Sequence, residues 1–273
     1  MSDAGFSPKT VTLYSALVKQ VVASAIGDDG EPLSPRTWNH EFIDMPLVVN
    51  QRTPSFTAIE IEQIINRANA NDRQLAVLYA LLPSTGLRIG EALGLKVTDF
   101  HDRALNIQRA IWNGQETTLK TRFAYRKVGL APDVAQMLEA FIGERKDGYL
   151  FRSRTGGPLA DRNVLRRSLH PILKAMGWKD GALAGFHAFR RFRVTYLRKQ
   201  KTLEDVLRYW TGHGDKTVND RYSKLSQDDE FRRAVSEQAG TGLSSKLFAQ
   251  IAMLYPAVPV NPHLQTAAQV VVN

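Results

Sequence analysis

Apolar residues recur at helical spacing near the start of the chain. A periodic series of Val, Tyr, Leu and Ile predicts a helix over 8–26. Ser7 followed by proline is typical of a helix start, because the serine oxygen caps free amides and proline suits the first turn. The glycines and aspartates of 27–30 end this helix. The proline-rich stretch up to Pro54 lacks periodicity and predicts an extended linker.

The chain that follows this predicted linker is expected to be mainly helical. Thr57 and Glu60 have the spacing of a capping box, in which each side chain accepts from the backbone of the other. Two helices are predicted next, over 73–82, where Pro83 stops the helix, and over 87–93. The remaining apolar periodicity predicts helices over 132–145, 161–176, 187–200 and 202–211, and a helical run after Asp228.

A clear β pattern occurs in one region. Residues 104–112 alternate between apolar and polar, and Asn113-Gly114 is a preferred two-residue hairpin turn. A return strand is predicted over 115–120, and 126–130 is a candidate third strand. We therefore expect an α+β fold that is mainly α-helical, with a small antiparallel hairpin or sheet.

Composition narrows the classes of protein. The 273 residues include no cysteine, which excludes disulfide scaffolds, thiolate metal sites and cysteine nucleophiles. The longest apolar run, Leu75 to Leu82, is too short to span a bilayer, for which about 20 residues are needed. The sequence begins Met-Ser-Asp and lacks the features of a signal peptide. We expect a cytoplasmic protein without membrane contact.

Positive charge is concentrated in one third of the chain. Residues 145–224 contain 19 Lys and Arg against 7 Asp and Glu, a net charge of +12. The other residues carry 17 Lys and Arg against 20 Asp and Glu, a net charge of −3. Aromatic residues are interleaved with the basic ones. This pattern favours a surface that follows phosphate groups of a nucleic acid.

Three segments could carry chemistry. His187 and Arg190 lie three residues apart on a predicted helix, and Arg88 is followed at the same spacing by Glu91. The third segment contains Gly212 and His213, with Tyr222 nine residues after the histidine, between Arg221 and Lys224. Neighbouring cations favour the ionised form of a phenol, which is the nucleophilic form. Each segment alone also fits an ordinary surface pair or core residue.

Together these segments resemble the catalytic domain of the tyrosine recombinases, the phage integrase family. The resemblance depends on Thr-Gly-Leu-Arg-x-x-Glu from Thr85, a hairpin lysine, His-x-x-Arg, Gly-His and the tyrosine, in that order. It covers about 55–240. By this resemblance, 1–54 is a remnant of a core-binding domain plus a linker. Residues 241–273 are then a C-terminal tail that docks on its own domain or on a neighbouring subunit.

The resemblance implies roles for individual residues. Tyr222 would attack a scissile DNA phosphate and form a 3′-phosphotyrosine link. Arg88 and Arg190 would hold the non-bridging oxygens, where a fixed charge stabilises the transition state. Glu91 would orient these arginines.

Further roles follow from the same resemblance. Lys120 would protonate the departing 5′-oxygen, with Lys127 and Arg122 as rival candidates because the hairpin register is uncertain. His187 would accept or relay the tyrosine proton, and His213 would donate a hydrogen bond to the phosphate.

The implied partner is double-stranded DNA, bound without a metal ion or cofactor. The protein would be a monomer when free and a tetramer on recombining DNA. Beyond the catalytic set, the residues expected to contact DNA are Arg122, Lys127, Arg166, Arg167, Arg191, Arg221 and Lys224.

Some features depart from the family pattern. Val218-Asn-Asp-Arg-Tyr222 lacks the threonine that many relatives carry near the tyrosine, and Gly214-Asp-Lys replaces a small hydroxyl pair. The predicted helix 8–26 stands where family members usually have a whole helical domain. Two alternatives therefore stay open: relaxation of DNA like that of a type IB topoisomerase, and a truncated DNA-binding module with little turnover.

Overall fold

The computed structural model describes residues 5–33, 46–47, 53–180, 183–213 and 228–255. Contacts divide the chain into one unit up to Thr53 and a second unit from Pro54 onward. The first unit contains helix α1, Pro8–Ala23, whose first turn is capped by the Ser7 side chain as predicted. The helix ends three residues earlier than predicted. Most of the predicted linker lies outside the described residues.

Helices α2 (Ala58–Asn71) and α3 (Arg73–Thr85) open the second unit. The predicted capping box is confirmed: Thr57 N–H donates to Glu60 at 2.8 Å, and Glu60 N–H donates to the Thr57 hydroxyl at 3.2 Å. The prediction that Pro83 stops the next helix is wrong. Helix α3 continues through the proline to Thr85, and the Thr85 hydroxyl donates to Leu81 O at 2.7 Å.

Helix α4 is shorter than predicted, at Ile89–Leu93 rather than 87–93. Leu87 and Arg88 belong instead to the connection from α3. Arg88 is extended, and its backbone N–H is satisfied by the side chain of Glu91. The first turn of α4 is thus fixed by a carboxylate rather than by two more helical residues.

Two small antiparallel sheets follow. In the first sheet the strand Ala104–Ile107 pairs with both Phe100–His101 and Arg126–Gly129, and in the second Ala110–Trp112 pairs with Gln115–Thr117. The predicted hairpin turn is confirmed at Asn113 and Gly114, with φ of 51° and 81°. The strands are β1 (Phe100–His101), β2 (Ala104–Ile107), β3 (Ala110–Trp112), β4 (Gln115–Thr117) and β5 (Arg126–Gly129).

The single strand predicted over 104–112 is in fact two strands in different sheets. The chain leaves the first sheet after Ile107. In the two-residue break that follows, the Arg109 guanidinium forms an ion pair with the buried Asp99 and donates to Gly94 O at 3.2 Å. The return strand ends at Thr117, so Lys120 lies in the following loop and not in the hairpin strand.

The remaining helices contribute to a common core, in which α3 packs against helix α8 (His187–Lys199). Tyr79 of α3 stacks on Phe189 of α8, with ring centroids 5.8 Å apart, and both side chains are fully buried. The later helices are α5 (Pro132–Ile142), α6 (Asp161–Val164), a π-helical turn (Leu165–Leu169), α7 (His170–Ala175), α8 (His187–Lys199), α9 (Glu204–Thr211), α10 (Asp229–Ala239) and α11 (Ser245–Ala252).

Helix α11 lies within the segment predicted to be a tail. Its buried residues Leu247, Phe248 and Ile251 face α5 and α3 of the same chain. Residues 256–273 lie outside the described residues. Within the described part of the chain, no helix has both the length and the apolar character that crossing a membrane requires. The expected α+β fold, mainly helical with a small antiparallel sheet, is confirmed.

Candidate active site

The turn between α3 and α4 positions Arg88. Gly86 ends α3 with φ of 71°, and its N–H donates to Leu82 O at 2.8 Å. Arg88 follows in an extended conformation. Its backbone N–H and its Nη1 donate to the two carboxylate oxygens of Glu91, at 3.0 and 2.8 Å. The Arg88 side chain remains 38% exposed, so its guanidinium is oriented by Glu91 and is still accessible to a ligand.

Glu91 also binds a second guanidinium, that of Arg126 on β5. Arg126 Nη2 and Nη1 lie 2.9 and 3.3 Å from the two oxygens of Glu91. Arg126 Nε donates to Trp210 O at 2.7 Å and Nη1 donates to Ala124 O at 2.8 Å. Burial alone would raise the pKa of Glu91, but the hydrogen bonds and charges of Arg126 and Arg88 outweigh it and lower that pKa. The carboxylate is therefore ionised.

Arg190 reaches the same place from α8. The packing of Phe189 in the core puts Arg190 beneath the α3–α4 turn, where Nη1 donates to Gly86 O at 2.7 Å and Nη2 donates to Thr211 O. The residue is buried. Burial and the nearby charge of Arg88 lower the pKa of Arg190 to about 10. It remains protonated at neutral pH.

His187 lies one turn before Arg190 on α8 and is exposed. Partial desolvation of its ring lowers its pKa. The positive charges of Arg190, Arg191 and Arg88 act in the same direction. The imidazole is therefore neutral at pH 7 and can accept a proton.

His213 follows the C-terminus of α9. Gly212 has φ of 63°, and a Cβ there would lie 2.9 Å from Arg126 Nη1 and 3.4 Å from Arg88 Nη1. Glycine thus lets the chain pass close to both guanidiniums. The Nδ1 atom of His213 lies 2.8 Å from the hydroxyl oxygen of Thr211. Burial, followed by the charges of Arg190, Arg88 and other arginines, lowers the pKa of His213.

The structure therefore brings together five of the residues that the sequence singles out. Arg88 and Arg126 bind the Glu91 carboxylate, and the charge of Arg190 is close enough to interact with all three. These three guanidiniums and one carboxylate leave two excess positive charges beside two imidazoles. Fixed guanidinium donors suit an anion with several oxygens, such as a phosphodiester. Among the described residues, no group of three or more His, Asp or Glu side chains is placed to share a metal ion. The five sequence-predicted residues in this cluster are Arg88, Glu91, His187, Arg190 and His213.

Two predicted catalytic residues are not part of this described cluster. Lys120 is exposed in the loop after β4, and it forms no hydrogen bond or ion pair with any residue that the structure describes. Tyr222 lies outside the described residues, as do Arg221 and Lys224.

The residues expected to contact DNA have different surroundings. Arg166 and Arg167 are exposed on the π-helical turn. Arg191 Nη1 donates to Pro54 O at 2.8 Å, so part of its donor capacity is used within the protein. The Arg122 guanidinium lies over the Phe123 ring at 4.7 Å from its centroid. Lys127 Nζ lies 3.3 Å from Asp229 Oδ2.

Sequence reasoning missed Arg126 and Thr211. One signal was available for Arg126: it alternates with Val128 and Leu130, which places it on the inward face of its strand. An arginine at an inward position indicates a buried partner. Thr211 had no comparable signal, because its contact with Arg190 depends on how α8 and α9 pack.

Comparison with known proteins agrees with this geometry. Residues 54–228 match the model of the phage integrase family, and the chain belongs to that family. The tyrosine recombinase XerC of Methylobacterium sp. (strain 4-46) is 33% identical over 154 residues, which are 55% of this chain and 45% of the relative. The Prophage ps2 probable integrase of Lactococcus lactis subsp. lactis (strain IL1403) is 25% identical over 181 residues, 58% of this chain and 47% of that protein. The chain thus spans about half the length of these relatives.

Solved structures share the fold. The Tn1549 transposon integrase in complex with transposon right end DNA superposes with a TM-score of 0.63 at 21% identity, covering 87% of this chain and 80% of that one. The integrase from mycobacterium phage Brujita has a TM-score of 0.51 at 18% identity, covering 90% of this chain and 78% of that one.

Proposed function

We propose that this chain is a site-specific DNA recombinase that cleaves and rejoins double-stranded DNA through a phosphotyrosine intermediate. The observation that carries the proposal is the proximity of Arg88, Arg190 and His213, whose charges act on one another. Glu91 holds Arg88, whose side chain remains 38% exposed. The family membership and the DNA-bound integrase of the same fold support it. Since its substrate is DNA, we also propose that the protein acts in the cytoplasm.

In the proposed reaction the phenolic oxygen of Tyr222 attacks the scissile phosphorus, and the bond to the 5′-oxygen breaks. Arg88 and Arg190 stabilise the charge that develops on the non-bridging oxygens. His187 is neutral and accepts the phenolic proton, while His213 hydrogen-bonds the phosphate. The 5′-hydroxyl of a partner strand then attacks the phosphotyrosine and restores a phosphodiester. The ester bond is conserved throughout, so neither ATP nor a metal ion is needed in this scheme.

Lys120 is proposed to protonate the departing 5′-oxygen. Its two rivals are less suited to this role: Lys127 is paired with Asp229, and Arg122 stacks on an aromatic ring and does not readily release a proton. Lys120 lies in the loop that follows the β3–β4 hairpin and is exposed, so its ammonium is accessible to a ligand.

We propose that the free protein is a monomer and that four copies assemble on two recombining duplexes. The arginines at 166 and 167 would bind DNA phosphates next to the scissile one, together with the charged residues around Tyr222. A monomer that relaxes supercoiled plasmid without sequence preference would instead indicate the topoisomerase-like alternative.

The nucleophile is tested by covalent trapping. The protein is incubated with a pool of nicked duplexes whose sequence is randomised around the nick. The short fragment between the cleavage site and the nick, which carries the released 5′-hydroxyl, then dissociates, and religation is prevented. We expect a covalent adduct, and mass spectrometry of the attached peptide should place the DNA on Tyr222. Tyr222→Phe should give no adduct. An adduct formed by that variant would refute the assignment.

The role of Lys120 is tested with a duplex selected from that pool and a second version with sulfur at the scissile 5′ position. Lys120→Met should slow cleavage at oxygen by about 10²- to 10⁴-fold, because the alkoxide then leaves unprotonated. Thiolate is a far better leaving group, so the sulfur duplex should restore the rate. Arg88→Ala is the control, and sulfur should not rescue it. A Lys120→Met defect that sulfur leaves unchanged would contradict the role.

A further inference from the structure

Thr211 connects two of the candidate catalytic residues. It is the last residue of α9 and is fully buried. Its carbonyl oxygen accepts a hydrogen bond from Arg190 Nη2, and its hydroxyl oxygen lies 2.8 Å from Nδ1 of His213. Neither contact was expected from the sequence motifs.

Counting protons defines the direction of the Thr211–His213 hydrogen bond. The hydroxyl oxygen of Thr211 also lies 2.7 Å from Leu207 O and 3.2 Å from Arg208 O. Carbonyl oxygens only accept hydrogen bonds, and a threonine hydroxyl has one proton to donate. If that proton pointed to His213, the hydroxyl and Leu207 oxygens would face each other at 2.7 Å without a proton between them. The favourable arrangement has the hydroxyl donating to Leu207 O, as helical threonines commonly do.

We propose that Thr211 is a positioning residue that holds His213 in the tautomer protonated at Nδ1, so that Nε2 is the atom that the imidazole offers to the bound phosphate. The Nδ1–H donates to the threonine hydroxyl. Nε2 then carries a lone pair when the ring is neutral, and it becomes an N–H donor only when the ring is protonated.

The charges around His213 determine how this tautomer responds when a phosphate binds. Arg88, Arg126, Arg190 and Arg208 all disfavour the imidazolium, in addition to burial. Without a bound anion the ring is neutral and Nε2 can only accept. A phosphate in the site offsets the arginine charges, favours protonation of the ring and receives the new Nε2–H. Uptake of a proton by His213 thus accompanies phosphate binding. This consequence depends on the proposed function, whereas the tautomer itself does not.

The tautomer can be measured on the DNA-free, full-length protein by long-range ¹H–¹⁵N spectra of ¹⁵N-labelled histidine, at a pH where the imidazoles are neutral. The protein has six histidines, and His213→Gln identifies the resonances of residue 213. We expect a protonated Nδ1 and an unprotonated Nε2 in the wild type. Thr211→Ser keeps a hydroxyl and should preserve this pattern. Thr211→Val has the same shape without a hydroxyl, and should move the proton of His213 to Nε2.

A wild-type spectrum with the proton on Nε2 would overturn the inference, as would a Thr211→Val spectrum with an unchanged pattern. The resonances of the other histidines report whether the valine variant is folded. If it is not, the wild type and Thr211→Ser still decide the tautomer. If the tautomer of His213 is not the one proposed, the expected covalent adduct at Tyr222 is unaffected. Conversely, absence of that adduct would refute the proposed function and leave the measured tautomer intact.

Discussion

The buried carboxylate of Glu91 holds two guanidiniums at once, one accessible and one enclosed. Arg88 supplies the accessible charge, and Arg126, whose side chain is fully buried, supplies the enclosed one. A buried ion pair gains little overall stability, because desolvation of both groups offsets their attraction. The buried pair instead fixes the positions of three elements. Arg126 also binds Trp210 O, so its side chain connects α4, β5 and the end of α9.

Removal of the Arg126 side-chain charge should therefore be costly. We expect Arg126→Met to lower the free energy of unfolding by about 3–5 kcal/mol, since it leaves Glu91 buried with one partner. Urea denaturation followed by circular dichroism measures this change. Lys127→Met is the matched control, because Lys127 and Asp229 are both more than half exposed. It should cost less than about 1 kcal/mol. Equal effects of the two variants would contradict this account of the buried pair.

Because Glu91 is ionised in the folded protein, we expect its contribution to the free energy of unfolding to depend on pH. Its pKa in the folded protein is below its ordinary value, so the ionised form contributes stability that is present above the unfolded pKa of about 4.3. This stability is lost as pH falls through the lower, folded pKa. Glu91→Gln resembles the protonated glutamate. The gap in unfolding free energy between wild type and Glu91→Gln should be widest near neutral pH and should shrink below about pH 4.3. A gap that stays constant with pH would contradict the prediction.

At the level of single residues, the sequence predicted the residues of the site that belong to motifs, but not the residues that support them. Arg88, Glu91, Arg190 and His213 converge as expected. Arg126 was missed because its partners Glu91 and Trp210 are 35 and 84 positions away. Nothing local to a strand arginine specifies which carboxylate it will meet in the folded protein.

Among the structural elements, α4 and the β3–β4 hairpin are in unusually close contact. A Cβ at Gly90 would lie 2.7 Å from Ile111 O, and one at Gly94 would lie 2.9 Å from Arg109 O. Both neighbours are backbone atoms, which cannot turn aside as a side chain can. The two glycines thus let the hairpin lie directly on the helix that carries Glu91, and the loop containing Lys120 leaves from this hairpin.

Gly90→Ala should displace the hairpin. The overpacking should cost about 1–3 kcal/mol, more than the roughly 1 kcal/mol that alanine gains over glycine in a helix. We expect a lower melting temperature and slower cleavage of the oxygen-linked duplex, with smaller loss on the sulfur-linked one. Gly157→Ala is the control, because a Cβ there meets nothing closer than the Ser153 hydroxyl at 3.8 Å. A Gly90→Ala protein as stable as this control would refute the contact.

Local signals gave the starts of α1 and α2 correctly, whereas breaks caused by distant contacts were not visible in the sequence. The caps at Ser7 and Thr57 involve residues three positions apart, and both were predicted. The strand over 104–112 was predicted as continuous because its alternation is continuous. It breaks at Gln108 and Arg109, where the Arg109 side chain pairs with the buried Asp99, a contact that exists only after the chain folds back.

For the molecule as a whole, the core residues come from most of the chain, whereas the excess positive charge comes from one segment. The buried apolar residues are spread from Phe56 to Ile251. The excess positive charge belongs to residues 145–224, with a net of +12 against −3 elsewhere. Arg190 and Arg193 are buried and hydrogen-bonded within the protein, whereas Arg166 and Arg167 are exposed. The exposed arginines of the basic segment are therefore the ones available to an external polyanion.

This distribution predicts how DNA binding depends on salt. Each neutralised phosphate releases condensed counterions, so the affinity for a duplex should fall steeply as salt rises, with a log–log slope of several units. Arg166→Ala and Arg167→Ala should each reduce the magnitude of the slope by about 1 if each contacts one phosphate. Arg103→Ala is the matched control: Arg103 lies outside the basic segment and pairs with Glu237 at 2.9 Å, so its removal should leave the slope unchanged.

Fluorescence anisotropy with a labelled duplex at several salt concentrations measures the slope for the wild type and the three variants. A slope near zero for the wild type would refute the basic surface, and an equal loss in the Arg103 variant would show that the effect comes from net charge rather than from contact at the π-helical turn.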